Sequence, residues 1–403
     1  MKNFKNISGF PESIDYTKIE KIESICKKWA KNFGASPILL PIVEKRSLFE
    51  RSIGDGTDIV EKEMITLCGK DKEVLRPEGT AVAMRMWNNN GGLRNIRPQK
   101  WYYSDFMFRN ENPQAGRYKQ FKQFGMECIG FKEGLLDVDL LISLNDLFVE
   151  LKVKESLVLK INTIGSQEER EKYIVTLQNW LNLNKEDLDP LSVERIDKNP
   201  LRVFDTKIES TLEKLKEAPC LYDSLSEISK LSFSKIQENL KSLGVDFIID
   251  TTLVRGLDYY NGLVFEFVIN KDNELFGKTV AAGGRYDNLS KSMNGENVEA
   301  IGFAIGLERL NFIVEQQEKE REGFYICWFN DVPEAYVLNV ARSFRNKGEV
   351  VIDPGKRKIV KQLNQADEGD FEYCIIIGQE EVANNIIKIK NLKTGQEVVQ
   401  NLV

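Results

Sequence analysis

Histidine is absent from all 403 residues of the chain. That absence excludes Ser-His-Asp and Cys-His nucleophile systems, histidine metal ligation and imidazole acid–base catalysis. Any chemistry must run on arginine, carboxylates, amides, tyrosines and bound metal ions. Cysteine is sparse: Cys26, Cys68, Cys128, Cys220, Cys327 and Cys374 stand singly, with no CxxC. Neither a disulfide framework nor a zinc site is expected, and buried free thiols in a reducing cytoplasm fit this usage. No apolar run of about 18 residues and no export signal appears, which speaks against membrane insertion and secretion. The formal charge of −6 argues against a generally basic nucleic-acid binder, while leaving room for local basic patches.

The length suffices for one large domain and a smaller one. Ile19, Ile22, Cys26, Trp29 and Phe33 recur at helical spacing and stop at Gly34. Ile38–Leu40 reads as a strand ending at Pro41, and Ala81–Trp87 as a helix. Two strands, Trp101–Arg109 and Arg117–Gly130, form a hairpin, followed by an amphipathic helix marked by Leu140, Leu144, Phe148 and Leu151. Leu157, Leu159 and Ile161 alternate as a strand. Ser166 with Glu169 reads as a capping box that opens a helical, Lys/Glu-rich insertion over about 167–245. Strand character returns at Phe247–Thr252, Leu263–Ile269, Lys278–Ala282 and Ala300–Ile305, with a helix from Leu307. The charged run Glu315–Glu322 marks a boundary. Beyond it an α/β pattern follows, with strands at Phe324–Phe329, Glu349–Ile352 and Tyr373–Ile377. Helices are expected at Glu334–Lys347 and Lys356–Ala366, and a hairpin at Ile386–Lys390 and Val398–Val399.

The hairpin carries the unusual chemistry. Side chains alternate across a strand, so Arg117, Lys119, Phe121, Gln123 and Glu127 share a face, as do Arg109 and Glu111. Such a stripe suits a site for a ligand with phosphates, a flat ring and an amino group; a solvated hairpin face is the competing reading. Three other segments, Arg76–Thr80, Arg255–Tyr260 and Gly283–Asp287, are polar in similar fashion, and Gly302–Leu310 brings Arg309 to the start of a helix.

Taken together, Leu40-Pro41-Ile42, Phe108–Glu111, Gly306–Arg309, Leu253–Tyr260 and Ala282–Asp287 resemble the motifs of the class II aminoacyl-tRNA synthetases, and within them the histidyl-tRNA synthetases. The resemblance runs from about Gly9 to the C-terminus. It implies an α+β fold: an antiparallel sheet flanked by helices in a catalytic domain over 1–321, with the helical insertion, and an α/β anticodon-binding domain over 322–403. It implies ATP-dependent formation of histidyl-adenylate and transfer to tRNA(His), with Mg2+ bound mainly through the ATP phosphates and no protein-ligated metal. Arg109 and Arg255 would act on the α-phosphate, and Arg117 on the γ-phosphate. Phe121 and Arg309 would sandwich adenine, and Glu111 would hold its amino group or orient neighbours. Glu78 and Thr80 would receive the amino group of histidine. Glu127 and Tyr260 would grip its imidazole, with Gln123 near the carboxylate and Tyr259 and Tyr286 lining the pocket. Asn112 and Gln114 would meet the tRNA acceptor end, and Lys356, Arg357, Lys358 and Lys361 the tRNA phosphates. The proline motif implies a homodimer.

Other readings stand beside these. Arg255 pairs structurally with Asp258, Tyr259 and Tyr260 are core aromatics, and Gly283-Gly284 is only a tight turn in the alternative view. Asn110 and Lys122, where the family often has histidine, should point away from the ligand face. Asn112 departs from the family's commonly basic residue, which leaves the reading of the tRNA end open. The rival function is a non-catalytic histidine-sensing paralogue, such as the regulatory subunit of ATP phosphoribosyltransferase. Such proteins typically lack the C-terminal domain and the ATP-binding arginines, both kept here. A synthetase for another amino acid is opposed by Arg255–Tyr260.

Overall fold

The computed structural model describes residues 7–11, 16–54, 57–69, 72–94, 97–253, 259–315, 322–355 and 357–402. It divides into two compact units, Met1–Glu315 and Gln316–Val403.

An eight-stranded sheet organises the first unit. Its order is Ser36–Pro37, Gln99–Phe108, Gln120–Ile129, Ala300–Gly306, Thr279–Arg285, Asn261–Ile269, Leu157–Thr163 and Ile248–Ile249. The six central strands pair antiparallel, and the two-residue strands at either edge pair parallel. Period-2 alternation assigns the faces. Phe124, Met126, Cys128, Ile301, Phe303 and Ile305 point into a large apolar cluster with Ile22, Cys26 and Trp29 of the Thr17–Asn32 helix and Leu140, Leu144 and Phe148 of the Leu135–Glu150 helix. Burial in this cluster pushes the Cys26 and Cys128 thiols up to about 12, which keeps them protonated. The opposite face meets the Thr80–Asn89 helix and the helices of 167–215, whereas Phe233, Ile236 and Leu240 of the Glu227–Ser242 helix join the first cluster.

Those helices, Gln167–Leu183, Pro190–Lys198, Glu209–Leu215 and Glu227–Ser242, lie between two hydrogen-bonded neighbours in the sheet, Leu157–Thr163 and Asn261–Ile269. They are therefore an excursion from a continuous sheet. The expected capping box is present: Ser166 Oγ accepts from Glu169 N at 3.3 Å, and Glu169 accepts from Ser166 N at 2.7 Å. The same carboxylate accepts from Ser226 N at 2.6 Å and Ser229 Oγ at 2.8 Å. One glutamate thus caps one helix and ties the start of another, and these donors hold it near 2 against the upward push of burial.

Two expected strands differ. Ile38–Leu40 forms no strand; the chain pairs at Ser36–Pro37 and again at Val43–Lys45, against Glu73–Leu75. The intervening carbonyls serve a side chain instead. Buried Arg76 donates to Pro41 O at 3.1 Å, to Leu40 O and to Phe106 O at 2.8 Å, and pairs with Asp105. Phe247–Thr252 shrinks to Ile248–Ile249, because Asp250 turns to cap Thr252 N and to pair with Lys160 at 2.8 Å.

The second unit is a five-stranded sheet in the order Val350–Ile352, Phe324–Trp328, Tyr373–Ile377, Ile386–Asn391, Glu397–Asn401, the first three parallel. Its helices are Glu334–Phe344, Ile359–Glu368 and Gln379–Asn384. The second begins at Ile359, after Arg357 and Lys358 of the expected helix, because Arg357 turns back to pair with buried Asp353.

The first unit's most exposed test of packing is Arg285. It is fully buried, paired to buried Asp137 at 2.8 Å and to Asp287 at 2.9 Å, and bonded to Phe131 O at 3.0 Å. Arg285→Ala strands Asp137 uncompensated and is expected to cost about 3–5 kcal/mol, read as a lower denaturant midpoint at unchanged m-value.

Candidate active site

A cavity of about 400 Å³ opens on the sheet face away from the large core. Its floor follows from register. Glu127, Gly302 and Gly284 form one cross-strand row; Tyr103, Gly125, Ala304 and Ala282 form the next; Gln123 and Gly306 begin a third. Small residues here are required by space. A Cβ on Gly302 would lie 2.0 Å from Glu127 Oε2, and one on Gly125 or Gly79 would lie 2.3 Å from the Tyr103 ring. Glycines thus make room for one carboxylate and one ring.

Three guanidiniums converge at one end. Arg109 Nε donates to Pro77 O at 2.9 Å, with its guanidinium 5.3 Å from the Phe121 ring centroid. Arg309 donates to Gly116 O at 2.8 Å and Thr279 O at 2.7 Å. Arg117 pairs with Glu111, and Glu63 stands 3.7 Å away on its other side; Glu111 is also 3.9 Å from Arg109. Burial, then the charges of Arg117 and Arg109, pull Arg309 below its ordinary value, a sign of mutual repulsion that an anion would relieve.

The other end is a buried polar knot. Glu127 is fully buried and accepts from Thr80 Oγ1 at 2.8 Å, Tyr103 Oη at 3.1 Å and Tyr286 Oη. Burial pushes its carboxyl up to about 8, the three hydroxyls opposing and nearby Glu78 adding to the rise. Glu78, also raised by burial, accepts from Thr80 N at 2.7 Å and Ala81 N at 2.9 Å, so it caps the Thr80–Asn89 helix. The Tyr259 and Tyr260 rings lie 4.7 Å apart, tilted by 48°, and Tyr286 meets Tyr259 edge-on at 5.8 Å. Among the described residues Gln123 Oε1 is buried without a hydrogen-bond partner.

Of the residues singled out in the sequence, Glu78, Thr80, Arg109, Glu111, Arg117, Phe121, Gln123, Tyr259, Tyr260 and Arg309 line this one cavity. Glu127 and Tyr286 lie behind Thr80, sealed by the hydroxyl bonds. Lys119 leaves the stripe: its ammonium bonds Asn110 at 2.7 Å. Lys122 bonds Glu23, so neither Asn110 nor Lys122 turns to the cavity. Asn112 and Gln114 are exposed on the loop, where Gln114 exchanges backbone bonds with Arg117. Arg255 and Lys356 lie outside the described residues. In the second unit Lys358 and Lys361 are exposed, whereas Arg357 is tied to Asp353, which raises its affinity for its proton. Sequence reasoning missed Tyr103, Asp58, Glu63 and Arg202, all cavity-lining. Tyr103 was reachable from hairpin register; the others carry no local signal.

An antiparallel sheet that gathers arginines over such a floor, interrupted by a helical insertion and followed by an α/β unit, is the class II aminoacyl-tRNA synthetase architecture. The family model for histidyl-tRNA synthetase matches residues 12–310, and that for the anticodon binding domain matches 324–402. A histidine–tRNA ligase of Aquifex aeolicus is 39% identical over 401 residues, 98% of each chain. Among solved structures, the apo histidyl-tRNA synthetase of S. aureus superposes with a TM-score of 0.80 at 28% identity, covering 99% of this chain and 98% of that one. The histidyl-tRNA synthetase of Nostoc shares the fold, with a TM-score of 0.70 at 23% identity, covering 100% of this chain and 97% of the other. The chain belongs to the histidyl-tRNA synthetase family.

The raised Glu127 gives a pH signature. A carboxyl held at about 8 when folded and near 4.5 otherwise keeps a proton that the unfolded chain releases. Its contribution is therefore fully present below about 4.5 and is lost as pH rises through about 8. Glu127→Gln is expected to flatten this decline, measured as urea midpoints across that pH range.

Proposed function

We propose that this chain is a histidine–tRNA ligase that condenses histidine with ATP to histidyl-adenylate, releases pyrophosphate, and passes the histidyl group to tRNA(His). What carries the reading is the meeting of Arg109, Arg117 and Arg309 with the Glu127 knot in one cavity. Attack of a carboxylate on the α-phosphorus needs alignment and charge neutralisation more than a protein nucleophile. Arg109, fixed by Pro77 O and stacked on Phe121, faces the α-phosphate, with Arg255 as its partner from the segment outside the described residues. Arg117 exchanges Glu111 and Glu63 for the γ-phosphate. Phe121 and Arg309 flank adenine, and Glu111 orients the arginines on either side. Magnesium arrives on the ATP phosphates.

At the other end, Glu78 and Thr80 take the amino group and Gln123 lies by the carboxylate. Glu127 and Tyr260 read the two ring nitrogens, with Tyr259 and Tyr286 as walls. An amino acid lacking those nitrogens would leave the buried carboxyl badly matched, a large penalty. The transfer step needs no protein imidazole, because a phosphate oxygen of the adenylate accepts the ribose hydroxyl proton. We assign catalysis to 1–321 and anticodon binding to 322–403, where Lys356, Lys358 and Lys361 approach tRNA phosphates; Arg357 orders this segment through Asp353. Asn112 and Gln114 approach the acceptor end. Leu39, Ile42 and Val43, exposed around the proline motif, favour a homodimer through this face, in the cytoplasm. The kept arginines and the second unit favour this reading over a histidine-sensing paralogue.

ATP–pyrophosphate exchange with a panel of amino acids is the test. Exchange with histidine alone is expected; histidine binding without exchange would indicate the paralogue, and exchange with another amino acid a different synthetase. Arg255→Ala is expected to abolish exchange while the mass by light scattering stays that of a dimer, and near-normal exchange would remove its role. Glu127→Gln should raise KM for histidine about 10²-fold, on the order of the few kcal/mol of a lost buried charge-assisted bond, with KM for ATP little changed.

A further inference from the structure

The turn that joins Asn261–Ile269 to Thr279–Arg285 is firmly built, yet it carries an aromatic ring in solvent. Asn273 Oδ1 accepts from Leu275 N at 2.8 Å, and Asn273 O accepts from Phe276 N at 3.0 Å. Gly277 has φ +74°, a left-handed backbone open to glycine, and its N–H donates to Ile269 O at 2.9 Å. Leu275 is buried, whereas Phe276 beside it is 63% exposed. A single exposed hydrophobe needs no explanation. Its surroundings do.

The turn lies at the mouth of the cavity. A Cβ on Gly116 of the hairpin loop would be 3.2 Å from Leu275 Cδ2 and 3.0 Å from Arg309 Cγ, so turn, loop and arginine meet at one point. Thr279, the residue after Lys278, lines the cavity, and its carbonyl accepts from Arg309 at 2.7 Å. Lys278 is in no ion pair among the described residues, nor is exposed Lys207 of the insertion. Burial, then the charges of Lys207, Arg309 and Arg117, draw the Lys278 ammonium below the ordinary range. Its charged surroundings are thus positive. Asp272 and Glu274 are exposed earlier in the turn, so the acidic part precedes the aromatic and the cationic part follows it. Asn112 and Gln114 are exposed on the adjoining hairpin loop.

Unpaired cations beside an open aromatic face suit a single-stranded nucleic acid: phosphates meet the ammoniums, and an unstacked base covers the ring. A duplex keeps its base faces stacked and offers none. The transfer step brings a single strand to this place, because the 3′-terminal ribose of tRNA must enter the cavity while the nucleotides behind it cross the rim. We infer that Phe276 stacks on a base of the unpaired 3′ end of tRNA, with Lys278 and Lys207 on its phosphates. The turn and the insertion then hold the strand that presents the ribose hydroxyl. This rests on the ligase reading of the same cavity.

The test uses the full chain and two probes, a complete tRNA(His) transcript and the same transcript shortened by its unpaired 3′ nucleotides, with affinities read by fluorescence anisotropy. Phe276→Ala is expected to weaken binding of the complete tRNA about tenfold, the size of one lost base stack. Binding of the shortened tRNA and ATP–pyrophosphate exchange with histidine should stay within about twofold of wild type. Phe276→Trp, which keeps a stacking face, should bind complete tRNA as wild type does. Lys207→Gln and Lys278→Gln should each reduce the slope of log affinity against log salt by about 0.7 for the complete tRNA and leave it unchanged for the shortened one. Equal weakening of both RNAs by Phe276→Ala, or no change in either, overturns the site while histidine activation, read by exchange, still stands. A fall in mass by light scattering for Phe276→Ala also overturns it, by assigning the ring to a contact between copies of the chain. A wild-type protein that exchanges with no amino acid removes the ligase reading and the site with it.

Discussion

Repulsion among guanidiniums crowded into one cavity is the constraint around which the catalytic unit is arranged. Arg109, Arg117 and Arg309 are close enough for the first two to destabilise the charge on the third, and like charges in a low-dielectric wall repel strongly. They are held in place by fixed acceptors. Pro77 O, Gly116 O and Thr279 O each take a guanidinium N–H, and Glu111 and Glu63 supply counter-charge. These acceptors come from four separate segments of the chain, so the sheet must form before the cluster can exist. Arg109 and Arg309, held on backbone carbonyls, are preorganised cations of the kind that stabilise a developing negative charge.

The opposite end solves the converse problem, a carboxylate buried where water cannot reach it. Glu127 survives there because Thr80, Tyr103 and Tyr286 donate to it and because glycines clear the volume it and Tyr103 occupy. Its raised affinity for a proton marks a group in need of a partner. Thr80, Tyr103 and Tyr286 meet that need within the fold. A cationic end and a buried carboxyl end thus share one cavity of about 400 Å³.

Much of the plan was readable along the chain. The period-2 stripe holds from Phe121 to Glu127, though not at Lys119, and the Ser166–Glu169 box and the helix ending before Gly34 depend on neighbours within a few residues and appear close to their expected places. The errors share a cause. Ile38–Leu40 looks like a strand locally, but the Leu40 and Pro41 carbonyls are claimed by Arg76, and Arg357 and Lys358 look helical until Asp353 claims Arg357. In both, a buried partner distant in space or off the helix face outweighed local propensity. Cys327 and Cys374, isolated in sequence, lie with their sulfurs 3.2 Å apart on neighbouring strands, which no spacing rule anticipates.

By itself the sequence determined which chemistry was open: without imidazole, arginines and carboxylates had to serve, and their ordered motifs named the family. Only the tertiary structure decided that Glu127 is sealed behind hydroxyls, that Arg117 waits on Glu111 and Glu63, and that Arg202 arrives from the insertion to meet Asp58. The reason is physical. Local spacing fixes which face a side chain takes, whereas burial, counter-charge and free volume depend on segments brought together across 144 positions, as in the Arg202–Asp58 contact.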